Sequence, residues 1–185
     1  ESLSPISGFA TVGGGELFIL AKNTFGDIQS LRVLIGLGVQ SHYECTIISV
    51  EYPVLNDASR IRCSVPPGQG SVVKVQVERA GVLRSIPSEH HSIAYARPEI
   101  FGVTPDQLET RGEVVTIRGK NLGVDSSLIH LHVDGIGTIP ATFVSNASDL
   151  VRFSIPCGSG QHSRSLIFYA GDQRSCLRTA ADATC

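Results

Sequence analysis

The sequence lacks the features that mark several large classes of protein. No apolar run approaches the ~20 residues that a membrane-spanning helix needs, and no segment shows the period of a helix. Charged residues make up only 17% of the 185 residues, but apolar residues make up 42%. This composition is typical of a globular chain and not of a disordered one. We therefore expect a folded segment with no direct membrane insertion.

A surplus of basic residues is also missing. Lys and Arg number 15 against 17 Asp and Glu, and Arg60, Arg62, Arg79 and Arg84 are interleaved with acids. Because phosphate neutralisation supplies most of the affinity of a DNA-binding protein, this balance argues against a nucleic-acid partner. The first residues, ESLSPISGF, lack a basic segment followed by an apolar one, so they predict no signal peptide. If the protein is secreted, we expect this chain to be a processed piece.

What the sequence does contain is typical of short strands joined by tight turns. Glycine occurs 19 times and proline nine times, and Val, Ile and Thr are plentiful. Apolar and polar residues alternate in two segments, and two more are short strand-like runs that begin or end next to glycine. These segments are VVKVQVE (72–78), LIHLHVD (128–134), ELFILA (16–21) and VVTIRG (114–119). The pattern predicts an all-β chain.

The chain also repeats itself. Three anchors recur in the same order, with length changes only at expected loops. The anchors are 13–26 with 110–123, 61–70 with 151–160, and 79–85 with 169–175. Pro98 takes the place that Pro5 holds in the first copy, so we expect two domains, 1–97 and 98–185, joined by a short junction. The second copy ends where a third would begin, and we expect the natural chain to continue.

These anchors carry a resemblance to the IPT/TIG family of immunoglobulin-like domains, found in plexins and related receptors. The second copy best matches the first part of the family's sequence motif. The first copy best matches its later part, which contains a cysteine followed by Pro-Pro-Gly. The matching residues are Pro98, Ile100, Val103, Pro105, Val115 to Gly123, and Ile61 to Gly70. The resemblance implies two tandem Greek-key immunoglobulin-like β-sandwiches. It leaves the function open, because the family includes Rel-like DNA-binding regions and carbohydrate modules of enzymes.

Two of the five cysteines belong to the first copy. The repeat alignment places Ala141 opposite Cys45 and Phe153 opposite Cys63, so both cysteines are missing from the second copy together. Joint loss is what a disulfide pair predicts, and two buried free thiols are the alternative. In the family that the chain resembles, the matching pair is usually bridged. Such a bridge would stabilise the module by roughly 3 kcal/mol.

The second copy has three cysteines of its own, Cys157, Cys176 and Cys185. Three is an odd number, so at least one is unpaired or bonded outside this segment. Pairing of Cys157 with Cys176 and pairing of Cys176 with Cys185 both stay open. Asn146 begins the one N-glycosylation sequon, Asn-Ala-Ser, in an expected turn. Together, the cysteines and the sequon favour the extracellular space or the cell surface.

No residue pattern predicts catalysis, a cofactor or a metal ion. His130, His132 and Asp134 could hold a metal, but Ile129, Leu131 and Val133 on the opposite face favour the solvent side of a half-buried strand. His90 and His91 lie in a polar stretch and are most simply exposed. No nucleophile elbow occurs, and GGGE (13–16) leads into a strand, so it predicts a turn and not a phosphate site.

We therefore expect a non-catalytic module pair from a larger cell-surface protein. Its partners would be proteins, including neighbouring repeats or copies of the same protein, with an N-linked glycan attached. Its role would be protein–protein interaction, adhesion or spacing. A structural segment of an extracellular filament or coat is the alternative, which an unpaired sheet edge or an exposed apolar patch would favour.

Overall fold

Both halves of the chain are built from strands. The computed structural model describes residues 2–22, 28–36, 43–52, 58–79, 83–84, 91–158 and 166–176. The chain divides into two units, Glu1–Ala96 and Arg97–Cys185. Within the described residues, helix is limited to two short 3₁₀ turns at Ile28–Ser30 and Ser126–Leu128. No helix in this part of the chain has the length and apolarity needed to cross a bilayer.

The strands of the first unit follow the alternation of apolar and polar residues. In the second strand Leu17, Ile19 and Ala21 are buried and Glu16 and Lys22 are exposed, because successive side chains point to opposite faces. The strands are β1 (Ser2–Ser4), β2 (Glu16–Lys22), β3 (Leu31–Gly36), β4 (Tyr43–Glu51), β5 (Ala58–Ser64), β6 (Val73–Arg79), β7 (Leu83–Arg84) and β8 (Ser92–Ile93).

The second unit repeats this plan. Ile129, Leu131 and Val133 are buried on one strand, and the intervening His130 and His132 point to the other face. The strands are β9 (Glu99–Thr104), β10 (Glu113–Lys120), β11 (Ile129–Val133), β12 (Gly137–Val144), β13 (Leu150–Ile155), β14 (Leu166–Ala170) and β15 (Gln173–Cys176).

The strand order is the same in the two units. The first has the order β1-β2-β5-β4-β3-β6-β7, with β8 also paired to β6, and the second has β9-β10-β13-β12-β11-β14-β15. All of these strand pairs are antiparallel. Four strands followed by three matches the two layers of a constant-type immunoglobulin sandwich. The predicted fold class, two tandem all-β immunoglobulin-like sandwiches, is confirmed.

One strand in each unit serves both layers. The start of β4 pairs with β3 and its remainder pairs with β5, with a register shift between Ile47 and Ser49. In the same way β12 pairs first with β11 and then with β13, with a shift between Ala141 and Phe143. A bulge adds one residue and bends the strand. The bend lets β4 and β12 pass from one layer to the other.

The register of these strands corrects one detail of the sequence alignment. Cys45 pairs with Val33 on β3, and the residue in the matching position of the second unit is Ile139, which pairs with Leu131 on β11. Ala141 instead matches Ile47, because Ala141 pairs with Phe153 as Ile47 pairs with Cys63. The alignment was two residues off here because β4 and β12 share no sequence motif that would fix their register.

The two cores are stabilised differently at the positions of Cys45 and Cys63. Cys45 and Cys63 form a disulfide with a Cα–Cα distance of 5.7 Å, and both are buried. The second unit has Ile139 and Phe153 in their places, and the Phe153 ring meets Phe168 edge-to-face at 6.1 Å. A covalent link between β4 and β5 is thus replaced by apolar packing, which stabilises by removing large side chains from water.

The last repeat anchor also needs a one-residue correction. Arg79 on β6 pairs with Leu83 on β7, whereas Ala170 on β14 pairs with Gln173 on β15. The hairpin of the first unit is therefore one residue longer, and Tyr169 matches Glu78 and not Arg79. Arg84 and Arg174 still match, because they pair with Glu78 and Tyr169.

A glycine before the second strand of each unit allows a close backbone approach. A Cβ at Gly13 would lie 2.7 Å from the Pro67 nitrogen, and one at Gly112 would lie 2.7 Å from the Ile155 oxygen. Both glycines have a positive φ, +79° and +85°, which other residues rarely adopt. These positions make GGGE (13–16) part of a tight turn against the proline-rich segment, as predicted.

Tyr95 closes the first unit against the same segment. The side chain is buried, and its hydroxyl donates a hydrogen bond to the Pro66 carbonyl at 2.9 Å. A Cβ at Gly68 would lie 2.5 Å from this ring, so the glycine leaves room for it. Burial raises the pKa of Tyr95, with a smaller contribution from Tyr43. The phenol therefore remains a hydrogen-bond donor at neutral pH.

We expect the double variant Cys45→Ala/Cys63→Ala to lower the free energy of unfolding of the first unit by roughly 3 kcal/mol, because it reopens the loop that the disulfide closes. Native-state hydrogen exchange should show the loss at amides of β5 and no change at amides of β13. Cys157→Ser serves as the control and should leave both unchanged. An equal loss of protection in both units would contradict this assignment.

Candidate functional site

The structure places the predicted cysteines in different surroundings. Cys45 and Cys63 are joined in the core of the first unit. Cys157 is exposed just after β13 and has a free thiol. Cys176 ends β15, and Cys185 lies outside the described residues. The free thiol of Cys157 forms no bridge to Cys176, and the other pairing left open, Cys176 with Cys185, stays a prediction.

Asn146 lies in the turn between β12 and β13, and it is exposed. The third residue of its sequon, Ser148, is buried and accepts a hydrogen bond from the Gly123 amide at 2.8 Å. Ser145 strengthens the turn by donating to the Asp149 carboxylate at 2.6 Å. A glycan on Asn146 would extend into solvent and leave this network intact.

The histidines of β11 lie on the outer face of the three-stranded layer. His130 stacks on Tyr169 of β14, with ring centroids 4.7 Å apart, and His132 Nδ1 lies 3.4 Å from the Thr138 hydroxyl. No three His, Cys, Asp or Glu side chains of the described residues come together as a metal site. His91, which the sequence suggested would be exposed, is partly buried just before β8, and His90 lies outside the described residues.

The outer face of the four-stranded layer of the first unit carries two ion pairs. The Nε of Arg62 donates to Glu16 Oε2 at 3.0 Å, and its Nη2 also contacts Oε1. Arg60 lies 3.6 Å from Glu51. The hydrogen bonds from Arg62 hold the pKa of Glu16 below its ordinary value. We call Glu16, Glu51, Arg60 and Arg62 the Arg62 face.

The same surface of the second unit has a different character. One row of side chains crosses all four strands, because Phe143 pairs with Arg152, Arg152 with Thr116, and Thr116 with Thr104. The guanidinium of Arg152 lies over the Phe143 ring at 5.2 Å, a geometry that favours a cation–π interaction. We call this surface the Arg152 face; it comprises Phe101, Val114, Arg118, Lys120, Phe143 and Arg152.

Matching positions explain the difference between the two faces. Arg62 and Arg152 hold the same place, since Arg62 pairs with Phe18 and Ser49 as Arg152 pairs with Thr116 and Phe143. Glu16 pairs with Ser64 in the first unit, and Val114 pairs with Ser154 at the matching position of the second unit. The carboxylate that neutralises Arg62 is thus replaced by an exposed apolar side chain beside Arg152.

Three apolar side chains of the Arg152 face are strongly exposed. Phe101 is 71% exposed, Val114 52% and Phe143 46%. Phe101 lies at the β9 edge of this face, where the register between β9 and β10 shifts near Arg118. Exposed aromatic side chains beside arginines have the composition that protein interfaces favour.

Sequence reasoning did not single out this face. The anchor pair 61–70 and 151–160 aligns Arg62 with Arg152, so the shared arginine was visible. The first anchor matches Lys22 and Asn23 with Lys120 and Asn121, an offset that already sets Glu16 opposite Val114. The anchors rest on shared residues, however, so the replacement of the carboxylate by an apolar side chain was not recognised.

Comparisons with known proteins extend the fold assignment. No protein-family model matches the chain, and no curated protein matches its sequence. The crystal structure of the surface glycan-binding protein PbSGBP-B from Prevotella bryantii is similar with a TM-score of 0.53 and 17% identity, over 92% of this chain and 36% of that one. At this identity the similarity concerns the fold.

Two further similar structures have lower TM-scores. The full extracellular region of Plexin A4 aligns with a TM-score of 0.40 and 14% identity, over 96% of this chain and 17% of that one. A pullulanase from Anoxybacillus sp. LM18-11, in complex with maltotriose, aligns with a TM-score of 0.41 and 11% identity, over 87% of this chain and 23% of that one. The chain thus spans well under half of each of these three proteins.

We expect Arg62→Ala to raise the pKa of Glu16 towards its ordinary value, because the variant removes the donor that stabilises the carboxylate. In the native protein the folded-state pKa of Glu16 lies below the unfolded one. The pair therefore stabilises the first unit above the unfolded pKa, and this contribution is lost as the pH falls through the folded pKa. An NMR titration of the Glu16 carboxyl measures the change, and Arg152→Ala, the matched control, should leave that titration unchanged.

Proposed function

We propose that this chain is a non-catalytic extracellular module pair of a larger cell-surface protein. Its domains are two IPT/TIG-like immunoglobulin-like sandwiches, residues 1–97 and 98–185, and its role is protein–protein interaction or adhesion. The observation that carries the proposal is the Arg152 face, with its unneutralised arginines and exposed phenylalanines. A rigid sandwich is suited to presenting such a face to a partner, because its backbone hydrogen bonds are satisfied within the sheets.

The compartment is supported by the buried disulfide of the first unit. Disulfides form and persist in oxidising environments, which include the secretory pathway and the cell surface. Cys45 and Cys63 are fully enclosed in the core, so a bridge formed during folding would be shielded from reductants. The exposed sequon at Asn146 fits the same compartment.

A spacer or filament segment is the second candidate, and the exposed edge of the second unit favours it. Strand β9 lies at the end of its sheet and, among the described strands, pairs only with β10. The free backbone groups of such an end strand are a surface on which another chain can add a strand. This role predicts self-association of the chain, which sedimentation velocity would detect and which Val103→Pro on β9 should abolish.

We expect the chain, when expressed with a signal sequence in eukaryotic cells, to be secreted with a Cys45–Cys63 crosslink and a glycan on Asn146. Peptide mass spectrometry under non-reducing conditions measures both. Asn146→Gln should remove the glycan without loss of stability, because Asn146 is exposed, so it is a better control than a change at buried Ser148. Secreted protein with free thiols at Cys45 and Cys63 and unmodified Asn146 would contradict the proposed compartment.

A further inference from the structure

The cations of the Arg152 face form no ion pairs within the part of the chain that the structure describes. No carboxylate of the described residues forms an ion pair with Arg118, Lys120 or Arg152. Arg118 pairs with Leu150 on β13, and Arg152 lies two positions further along that strand. The two arginines are therefore diagonal neighbours, with Cα atoms roughly 7–8 Å apart. Like charges this close repel one another, and an anion placed between them would relieve the repulsion.

The face carries an excess of positive charge although the whole chain is slightly acidic. Its three cations are opposed by Glu99, which lies at one end and pairs in register with Lys120. The net charge of the chain is −2, so the positive face is a local feature and not a consequence of composition. On the Arg62 face, by contrast, each arginine contacts a glutamate. The charge pattern of the Arg152 face is thus complementary to an acidic partner.

The apolar side chains narrow the chemistry of that partner. Phe101 and Phe143 lie on the two outermost strands of the face, β9 and β12, and Val114 lies between them on β10. A purely anionic polymer, such as a sulfated glycan, would pair with the arginines and leave these exposed side chains in water. A polypeptide with acidic and apolar side chains would satisfy both, and burying the apolar groups would add to its affinity.

We propose that the Arg152 face binds an acidic polypeptide segment in which carboxylates alternate with apolar side chains. The carboxylates contact Arg118 and Arg152, and the apolar groups cover Phe101, Val114 and Phe143. Three strand spacings make the face about 14 Å wide, and six residues make it about 20 Å long. This area fits an extended segment better than a standard interface of about 800 Å² on each partner. The inference rests on the proposed interaction function and specifies its partner.

The test uses the whole chain, isotope-labelled for NMR, and synthetic peptides as probes. A peptide that alternates glutamate with leucine should shift amide signals of β9, β10, β12 and β13. A peptide that alternates glutamate with serine should bind at least about tenfold more weakly, because it lacks the apolar contacts. A lysine–leucine peptide should show no binding, and added salt should weaken the glutamate–leucine complex.

Matched variants assign the binding to this face. The double variant Arg118→Ala/Arg152→Ala should weaken the affinity for the glutamate–leucine peptide by at least about tenfold. Arg60→Ala/Arg62→Ala removes two arginines from the equivalent layer of the first unit and should leave the affinity within about twofold. Phe101→Ser should weaken binding by roughly fivefold, and because Phe101 is so exposed this variant keeps the fold intact.

Three outcomes would overturn the inference. The first is signal shifts that map outside the Arg152 face, and the second is an equal loss of affinity in the Arg60/Arg62 variant. The third is tighter binding of a heparin oligosaccharide at the same face with no effect of Phe101→Ser, which would assign the face to an anionic glycan. If one of these results is obtained but the chain is still secreted with the Cys45–Cys63 crosslink and the Asn146 glycan, only the proposed partner is wrong and the proposed compartment is retained.

Discussion

Each unit depends on a strand that belongs to both of its layers. β4 and β12 pair first with the three-stranded layer and then with the four-stranded one, and a single extra residue at Ile48 or Thr142 produces the bend. The bend carries the chain across the sandwich. Cys45 and Ile139, on the part of each strand that precedes the bulge, are buried in the core.

The two units stabilise this crossing by different physical means. In the first, the Cys45–Cys63 disulfide links β4 to β5 and stabilises mainly by restricting the unfolded chain. In the second, Phe153 packs edge-to-face on Phe168, and burial of large side chains supplies the stability. The stability of the first unit therefore includes a covalent link, and the second unit has apolar side chains at the matching positions.

Because the framework is shared, the surfaces of the units were free to diverge. Glu16 and Arg62 on β2 and β5 hold the positions that Val114 and Arg152 hold on β10 and β13. Glu16 neutralises Arg62, whereas Arg152 lies over the Phe143 ring and has an apolar residue in the position of that carboxylate. The difference lies in a few outward-facing side chains, which contribute little to the core and can change without loss of the fold.

The sequence by itself determined the fold class and the repeat. Alternating residues such as Ile129, Leu131 and Val133 define a strand with one buried face, and the recurring glycines and prolines fix the turns, because these signals are local. Only the tertiary structure decided which residues match across the repeat and which share a surface. Bulges and hairpin lengths set strand register, and register places Val114 beside Arg152 and Ile139 in the position of Cys45. The candidate site depends on these contacts between distant segments, which no local pattern encodes.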